Sequence, residues 1–170
     1  MAQPNRLDAV RFLDERILRL ARTWGHSPHR ERAVARFSRL GEHGAVWLAL
    51  GVAGAALDRP RRTRWRRASG VVAGTFALNT AIKLIVRRPR PELPGLPPLT
   101  GTPTQLSFPS AHASTSFAGA RAYTRLGLPA APLYALAVSL AGSRLYLGVH
   151  YPSDILAGAM LGTATAAVAL

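Results

Sequence analysis

Residues 68–86 read ASGVVAGTFALNTAIKLIV, a run of nineteen residues that is apolar except for Asn79 and Lys83 near its C-terminal end. At about 1.5 Å per residue such a helix is about 28 Å long, close to the ~30 Å hydrocarbon core of a bilayer. A helix with one face in water needs a polar stripe, and this segment has none. The surrounding chain repeats the pattern. Residues 44–57, GAVWLALGVAGAAL, carry no charge but become long enough to cross only when extended back through His43 and Glu42 to Leu40. Further apolar segments run from about His112 to Leu126, over 129–142, and over 153–170, the last with one charge, Asp154, at its start.

These segments predict an all-α fold: a polytopic membrane bundle of about five transmembrane helices. Gly, Ala, Ser and Thr dominate them, and such small residues let helix backbones approach closely inside a membrane. Gly158 and Gly162 form one pair at the four-residue spacing. A soluble bundle of Ala-rich helices is the alternative, compatible with a mean hydropathy of only +0.10. The missing polar stripes argue against it. Residues 1–39 are basic and broken by charges, with Leu7, Val10, Leu13, Ile17, Leu18, Ala21 and Trp24 on a helical stripe. That stripe predicts an amphipathic helical region lying at the interface. At 170 residues the chain is read as a single domain, 1–170, with the bundle over 40–170.

Two stretches look non-helical. Residues 58–67, DRPRRTRWRR, place six arginines in an apparent link, and residues 87–109, RRPRPELPGLPPLTGTPTQLSFP, are too rich in proline for a helix. The net charge is +14, from 22 Lys+Arg against 8 Asp+Glu, which suits an anionic partner. There is no cysteine, which excludes a disulfide framework and a Cys-ligated zinc site.

Counting crossings brings polar residues from distant segments to one membrane face. They are Lys83 and Arg90, then Ser110, Ala111 and His112 in SFPSAHAST, then Arg144, His150 and Asp154 in SRLYLGVHYPSD. Charges beside apolar helices are costly and mark function. The set suits phosphate, because guanidinium groups grip its oxygens in pairs, lysine adds a point charge, and amides at a helix start complete a cradle.

The spacing Lys83-x6-Arg90-Pro91, Pro109-Ser110-Ala111-His112, and Ser143-Arg144-x5-His150-x3-Asp154 resembles the three-part signature of the type 2 phosphatidic acid phosphatase (PAP2) superfamily. Ala111 stands where that family usually has glycine; it keeps the backbone amide. Tyr146 and Gly148 follow the family pattern. The resemblance implies a metal-independent membrane lipid phosphatase that needs no cofactor. It implies His150 as the nucleophile that becomes a phosphohistidine, Asp154 as the group that orients and charges its ring, and His112 as the general acid. Lys83, Arg90, Ser110, Arg144 and the Ala111 amide would hold the phosphoryl oxygens.

The implied partners are a lipid-linked phosphate substrate and membrane lipids, not nucleic acid, and the implied location is a bacterial plasma membrane. A narrower likeness, carried by GEHG at 41–44 and GTPTQLSFPSAHAST at 101–115, is to small actinobacterial enzymes acting on decaprenylphosphoryl-5-phosphoribose in cell-wall arabinan precursor synthesis. Undecaprenyl diphosphate and phosphatidylglycerophosphate or phosphatidate are the competing substrates. A basic scaffold binding anionic lipid without chemistry is the non-enzymatic rival, and a metal site at His112, His150 and Asp154 and a vanadate-dependent oxidase are the chemical ones. Arg87 and Arg88 read as interfacial anchors whose stems snorkel. His26, His29 and His43 match nothing and read as surface or interfacial residues.

Overall fold

The computed structural model describes residues 6–169, and among them it is helical with no strand beyond one isolated bridge, Pro89 to Leu106. Seven α-helices follow in order: α1 Arg6–Thr23, α2 Pro28–Arg39, α3 Ala45–Leu57, α4 Arg62–Val86, α5 Ala111–Thr124, α6 Ala130–Tyr146 and α7 Pro152–Ala169. Two 3-10 turns, Glu42–Gly44 and Arg59–Arg61, lead into α3 and α4. Ser27 caps α2 through its hydroxyl, which accepts from the Arg30 amide, and Pro28 fills the first helical position.

Helix α5 is the central post. It packs against α7, α4 and α6, and is buried along almost its whole length, from His112 to Tyr123. Only small residues allow that. Gly158 and Gly162 of α7 lie directly on α5: a Cβ at Gly158 would stand 2.6 Å from the Ser110 carbonyl oxygen, and one at Gly162 would collide with that of Ser114. At the other end of the bundle, Trp47, Trp65, Val72, Tyr123 and Leu140 form the apolar core. Gly119 makes room for Trp47 and Gly54 for Trp65. The buried polar atoms there are paired, Trp47 Nε1 donating to Ser116 Oγ at 3.0 Å and Tyr123 to the Trp47 carbonyl at 2.7 Å.

Polarity runs the wrong way for a protein in water. Thr75, Asn79, Ser114, Thr115 and Ser116 are buried, while Leu57, Leu84, Ile85, Leu156, Met160 and Val168 are exposed. An apolar exterior over a small and polar interior suits hydrocarbon as solvent. Helix α4 with its leading turn, Arg59–Val86, is long and apolar enough to cross a membrane, and α2 with the segment up to Leu57 forms a second such unit, bent by 42°. Against the five expected spans, α3, α5 and α6 have 13, 14 and 17 residues, short of the roughly 20 that a bilayer core takes.

Two expectations about segments change. Residues 58–67 are mostly helix, because arginine is a good helix former and Trp65 anchors the first turns through Nε1 to Asp58 at 3.0 Å. The extension of α3 back to Leu40 is broken at His43 and Gly44, both with positive φ, 53° and 73°. On α1 the apolar residues Val10, Leu13 and Ile17, with Trp24 just beyond its end, are exposed, which suits a helix lying against lipid, while Asp14, Leu18 and Arg22 face the protein. The proline-rich stretch 87–109 has no helix, as its composition dictates.

The α5–α7 contact yields a test. Gly162→Leu should lower the thermal unfolding temperature in detergent, with a cost of about 1–3 kcal/mol or more for overpacking. Gly70→Ala, where an added Cβ meets nothing within 4 Å, should be neutral or slightly stabilising.

Candidate active site

A cavity of about 250 Å³ opens where α4 and α6 end and α5 begins, near the loop over 87–110, and Lys83, Arg90, Ala111, His112, Arg144 and His150 line it. Six of the eight residues singled out in the sequence therefore share one wall. The other two stand behind it. Asp154 is fully buried and touches His150, and Ser110 is fully buried between α5 and α7, its amide donating to the Asp154 carbonyl at 3.0 Å. Ser110 therefore reaches no cavity surface, and its hydroxyl has no partner among the described residues. The Ser110 carbonyl lies against Gly158 of α7.

Lys83 and Arg90 are held by backbone oxygens and Arg144 by a serine hydroxyl. Lys83 Nζ donates to the carbonyls of Leu106 and Pro109 at 3.0 and 3.1 Å, tying α4 to the loop. Arg90 donates through Nε to Thr104 and through Nη1 to Val149, at 2.8 and 2.7 Å. Burial pulls the Arg90 guanidinium down to about 10, so it stays charged at neutral pH. Arg144 Nη1 donates to Ser38 Oγ at 2.8 Å, while its buried Nε has no partner among the described residues. At the start of α5 the first backbone N–H groups have no partner within the helix, and the helix dipole adds positive potential at Ala111. The cavity is built to take an anion with several oxygens.

His150 sits at its rim between two charges. Its Nδ1 lies 3.4 Å from Asp154 Oδ2, and its Nε2 lies 3.2 Å from Arg90 Nη1. A carboxylate can only accept and a guanidinium only donate, so the proton belongs on Nδ1 and the Nε2 lone pair faces Arg90. The i, i+4 spacing brings the two together as α7 begins. Burial, opposed by Asp154, lowers the His150 imidazole to about 4, so at neutral pH its Nε2 carries no proton and its lone pair accepts from Arg90.

The layer behind this pair was not visible in the sequence. Arg88, expected as a lipid anchor, instead points inward, with Nη1 2.9 Å from Asp154 Oδ1 and Nη2 2.8 Å from Asp14 Oδ2. Its guanidinium also lies 4.1 Å from the centre of the Tyr151 ring. Asp14, on α1, accepts the Ser153 amide at 2.9 Å as well. Arginine 88 thus joins two nearly or fully buried carboxylates from opposite ends of the chain.

Ser38, at the end of α2, is the second unforeseen residue. Its carbonyl lies 2.9 Å from His112 Nε2, and its hydroxyl takes bonds from Arg144 and, at 3.0 Å, from Ser143. A carbonyl only accepts, so His112 carries a proton on Nε2 here, and a second proton would reside on Nδ1. Of the three unassigned histidines, His29 is exposed. His26 packs within the fold, bonded to Glu31 at 3.1 Å and stacked on Tyr146 at 3.9 Å. His43 lines the cavity. His43 is exposed, as expected of a surface or interfacial residue, whereas His26 departs from that expectation because it is enclosed between the α1–α2 turn and Tyr146.

With this geometry described, comparison with known proteins gives the following. A family model described as the PAP2 superfamily matches residues 64–170. The chain is 44% identical over 131 residues to the decaprenylphosphoryl-5-phosphoribose phosphatase of Mycolicibacterium smegmatis, covering 75% of this chain and 68% of that protein. It is 42% identical over 138 residues to the enzyme of that name from Mycobacterium tuberculosis, covering 80% of this chain and 77% of that one. The fold is similar to that of the transmembrane PAP2 type phosphatidylglycerolphosphate phosphatase from Bacillus subtilis, with a TM-score of 0.80, 24% identity, and coverage of 95% of this chain and 85% of that one.

Two outcomes are expected from the arrangement. Arg88→Met leaves two buried carboxylates facing each other and should cost about 3–5 kcal/mol of stability, whereas Arg88→Lys should recover part of it. For His150, a folded-state value below the ordinary 6.5 means that its contribution to stability is complete above 6.5 and is lost as pH falls toward about 4. Its imidazole nitrogen NMR signals should accordingly remain those of the neutral ring at pH 6; a ring half-protonated there contradicts the geometry.

Proposed function

The chain belongs to the PAP2 superfamily and is a membrane phosphatase, and on that footing we propose that it removes the terminal phosphate from a polyprenyl-linked phosphosugar, with decaprenylphosphoryl-5-phosphoribose as the substrate. The observation that carries this reading is the cavity itself, where Lys83, Arg90, Arg144, His112 and His150, from three helices and two loops, meet around one space beneath an apolar exterior. The identity to relatives of that name supports the choice of substrate. The location proposed is a bacterial plasma membrane, with the prenyl chain among lipids and the phosphate in the cavity. Residues 1–39 belong to the same working unit as 40–170, since α1 and α2 supply Asp14 and Ser38.

In the proposed reaction the His150 Nε2 lone pair attacks phosphorus, a P–N bond forms, and the bond to the sugar oxygen breaks. His112 gives that leaving oxygen a proton. Asp154 keeps the proton on Nδ1 and stabilises the positive charge that the ring gains on attack. Lys83, Arg90, Arg144 and the Ala111 amide stabilise the phosphoryl oxygens, whose charge they face without reorganising. Water then attacks phosphorus, His112 takes the water's proton, the P–N bond breaks, and inorganic phosphate leaves. Ser110 contributes from behind the wall, fixing the start of α5 against α7. The product is the prenylphosphoryl sugar with a free hydroxyl.

The test is a substrate panel with purified protein in detergent. Prenyl phosphoribose should be hydrolysed with kcat/KM well above those for undecaprenyl diphosphate, phosphatidylglycerophosphate and phosphatidate. A preference for any of those three contradicts the proposed substrate. Replacing His112 with alanine should lower kcat by about 10²–10⁴-fold, the worth of a positioned proton donor. Phosphate release that is undiminished in that variant contradicts its role.

A further inference from the structure

The turn Glu42–Gly44 has no part in the chemistry above, yet Glu42 and His43 line the same cavity. Glu42 is its one carboxylate, facing a space that Lys83, Arg90 and Arg144 make positive. Glu42 is exposed, and among the described residues its carboxylate makes no hydrogen bond or ion pair, so its oxygens are open to a ligand. A carboxylate beside a phosphate repels it, so Glu42 would weaken substrate binding unless another part of the substrate lies against it. An ionised carboxylate only accepts hydrogen bonds, and its ligand must therefore be a donor. An ammonium group would be repelled by the three cations. Hydroxyl groups are not, and the neighbouring Thr80 and Thr104 can give and take bonds with them.

Position points the same way. Gly41 is packed so closely on His112 that a Cβ there would lie 2.6 Å from its Cδ2. Glu42 thus follows immediately after the residue seated on the proton donor. A sugar joined to the phosphate lies in the remainder of the same cavity, which Glu42 lines. The cavity holds the volume of about eight waters at roughly 30 Å³ each, more than a phosphoryl group fills. The backbone is held in an unusual shape to achieve this, with His43 at φ 53° and its ring edge-on to Phe76 at 5.4 Å.

From these observations we infer that Glu42 is a specificity-determining residue that accepts hydrogen bonds from hydroxyl groups of the sugar joined to the leaving oxygen. This rests on the phosphosugar reading above. The sugar's two neighbouring hydroxyls match the two oxygens of one carboxylate, and the phosphate then points toward His150.

A chemical double-mutant cycle tests it, using farnesylphosphoryl-5-phosphoribose and its 2,3-dideoxy analogue. With the wild-type protein kcat/KM should favour the full sugar at least tenfold, the worth of a bond to a charged acceptor. In Glu42→Ala that ratio should fall toward one, and in Glu42→Gln it should be intermediate, which covers the case of an alanine variant that folds poorly. A ratio in both variants equal to that of the wild type overturns the inference. A wild-type protein that releases no phosphate from either compound while hydrolysing phosphatidate overturns the phosphosugar reading, and this inference with it.

Discussion

The structure depends on the carboxylate of Asp154. It is fully buried, and its two oxygens take the Arg88 guanidinium at 2.9 Å, the Tyr151 amide at 2.9 Å and the His150 ring at 3.4 Å. An unpaired charge there would be expensive, so the site forms only when all of these segments are in place. Arg88 brings the proline-rich loop, and through Asp14 it brings α1. The backbone of Asp154 holds Ser110 and hence the start of α5. One residue thereby connects both histidines to the cation-bearing loop, and the active geometry cannot form piecemeal.

The remainder of the bundle serves to make that burial possible. A helix such as α5 can be enclosed on all sides only where its neighbours lack bulk, hence Gly158 and Gly162 on α7 and the Ala and Ser residues of α5 itself. The aromatic core around Trp47, Trp65 and Tyr123 fixes the far end. The polar end is left open between helices of unequal length, and the loop over 87–110 and the turn at 42–44 close over it. Apolar side chains on the outside keep the whole unit in lipid, where its substrate's chain also resides.

The helices and the cavity-lining set were readable in the sequence for one reason: uncharged runs define crossings, and crossings assign each polar end to a face. That count brings Lys83, Arg90, Ser110, His112, Arg144, His150 and Asp154 to one face, and the resemblance to the family signature singles them out together with Ala111. The count does not give the burial of Ser110, whose carbonyl lies against a glycine 48 residues later in the chain. Arg88, Asp14 and Ser38 were hidden because each works through a partner from a distant segment. An arginine beside a membrane helix reads as a snorkelling anchor until an acid is seen to meet it. The arginines at 62–67 were misread as a link because charge suggested solvent, whereas Trp65 and helix propensity governed the backbone.

The central claim is that phosphorus passes through His150 Nε2, with Asp154 setting its tautomer. The most direct measurement is an acid-sensitive trap: a single turnover with substrate labelled in its terminal phosphate, quenched with alkali and followed by peptide mapping. The account predicts label on His150, stable to base and lost in acid, and absent from His150→Ala. Label on another residue, or turnover by the wild type at full rate with no covalent phosphate at any time point, would contradict it.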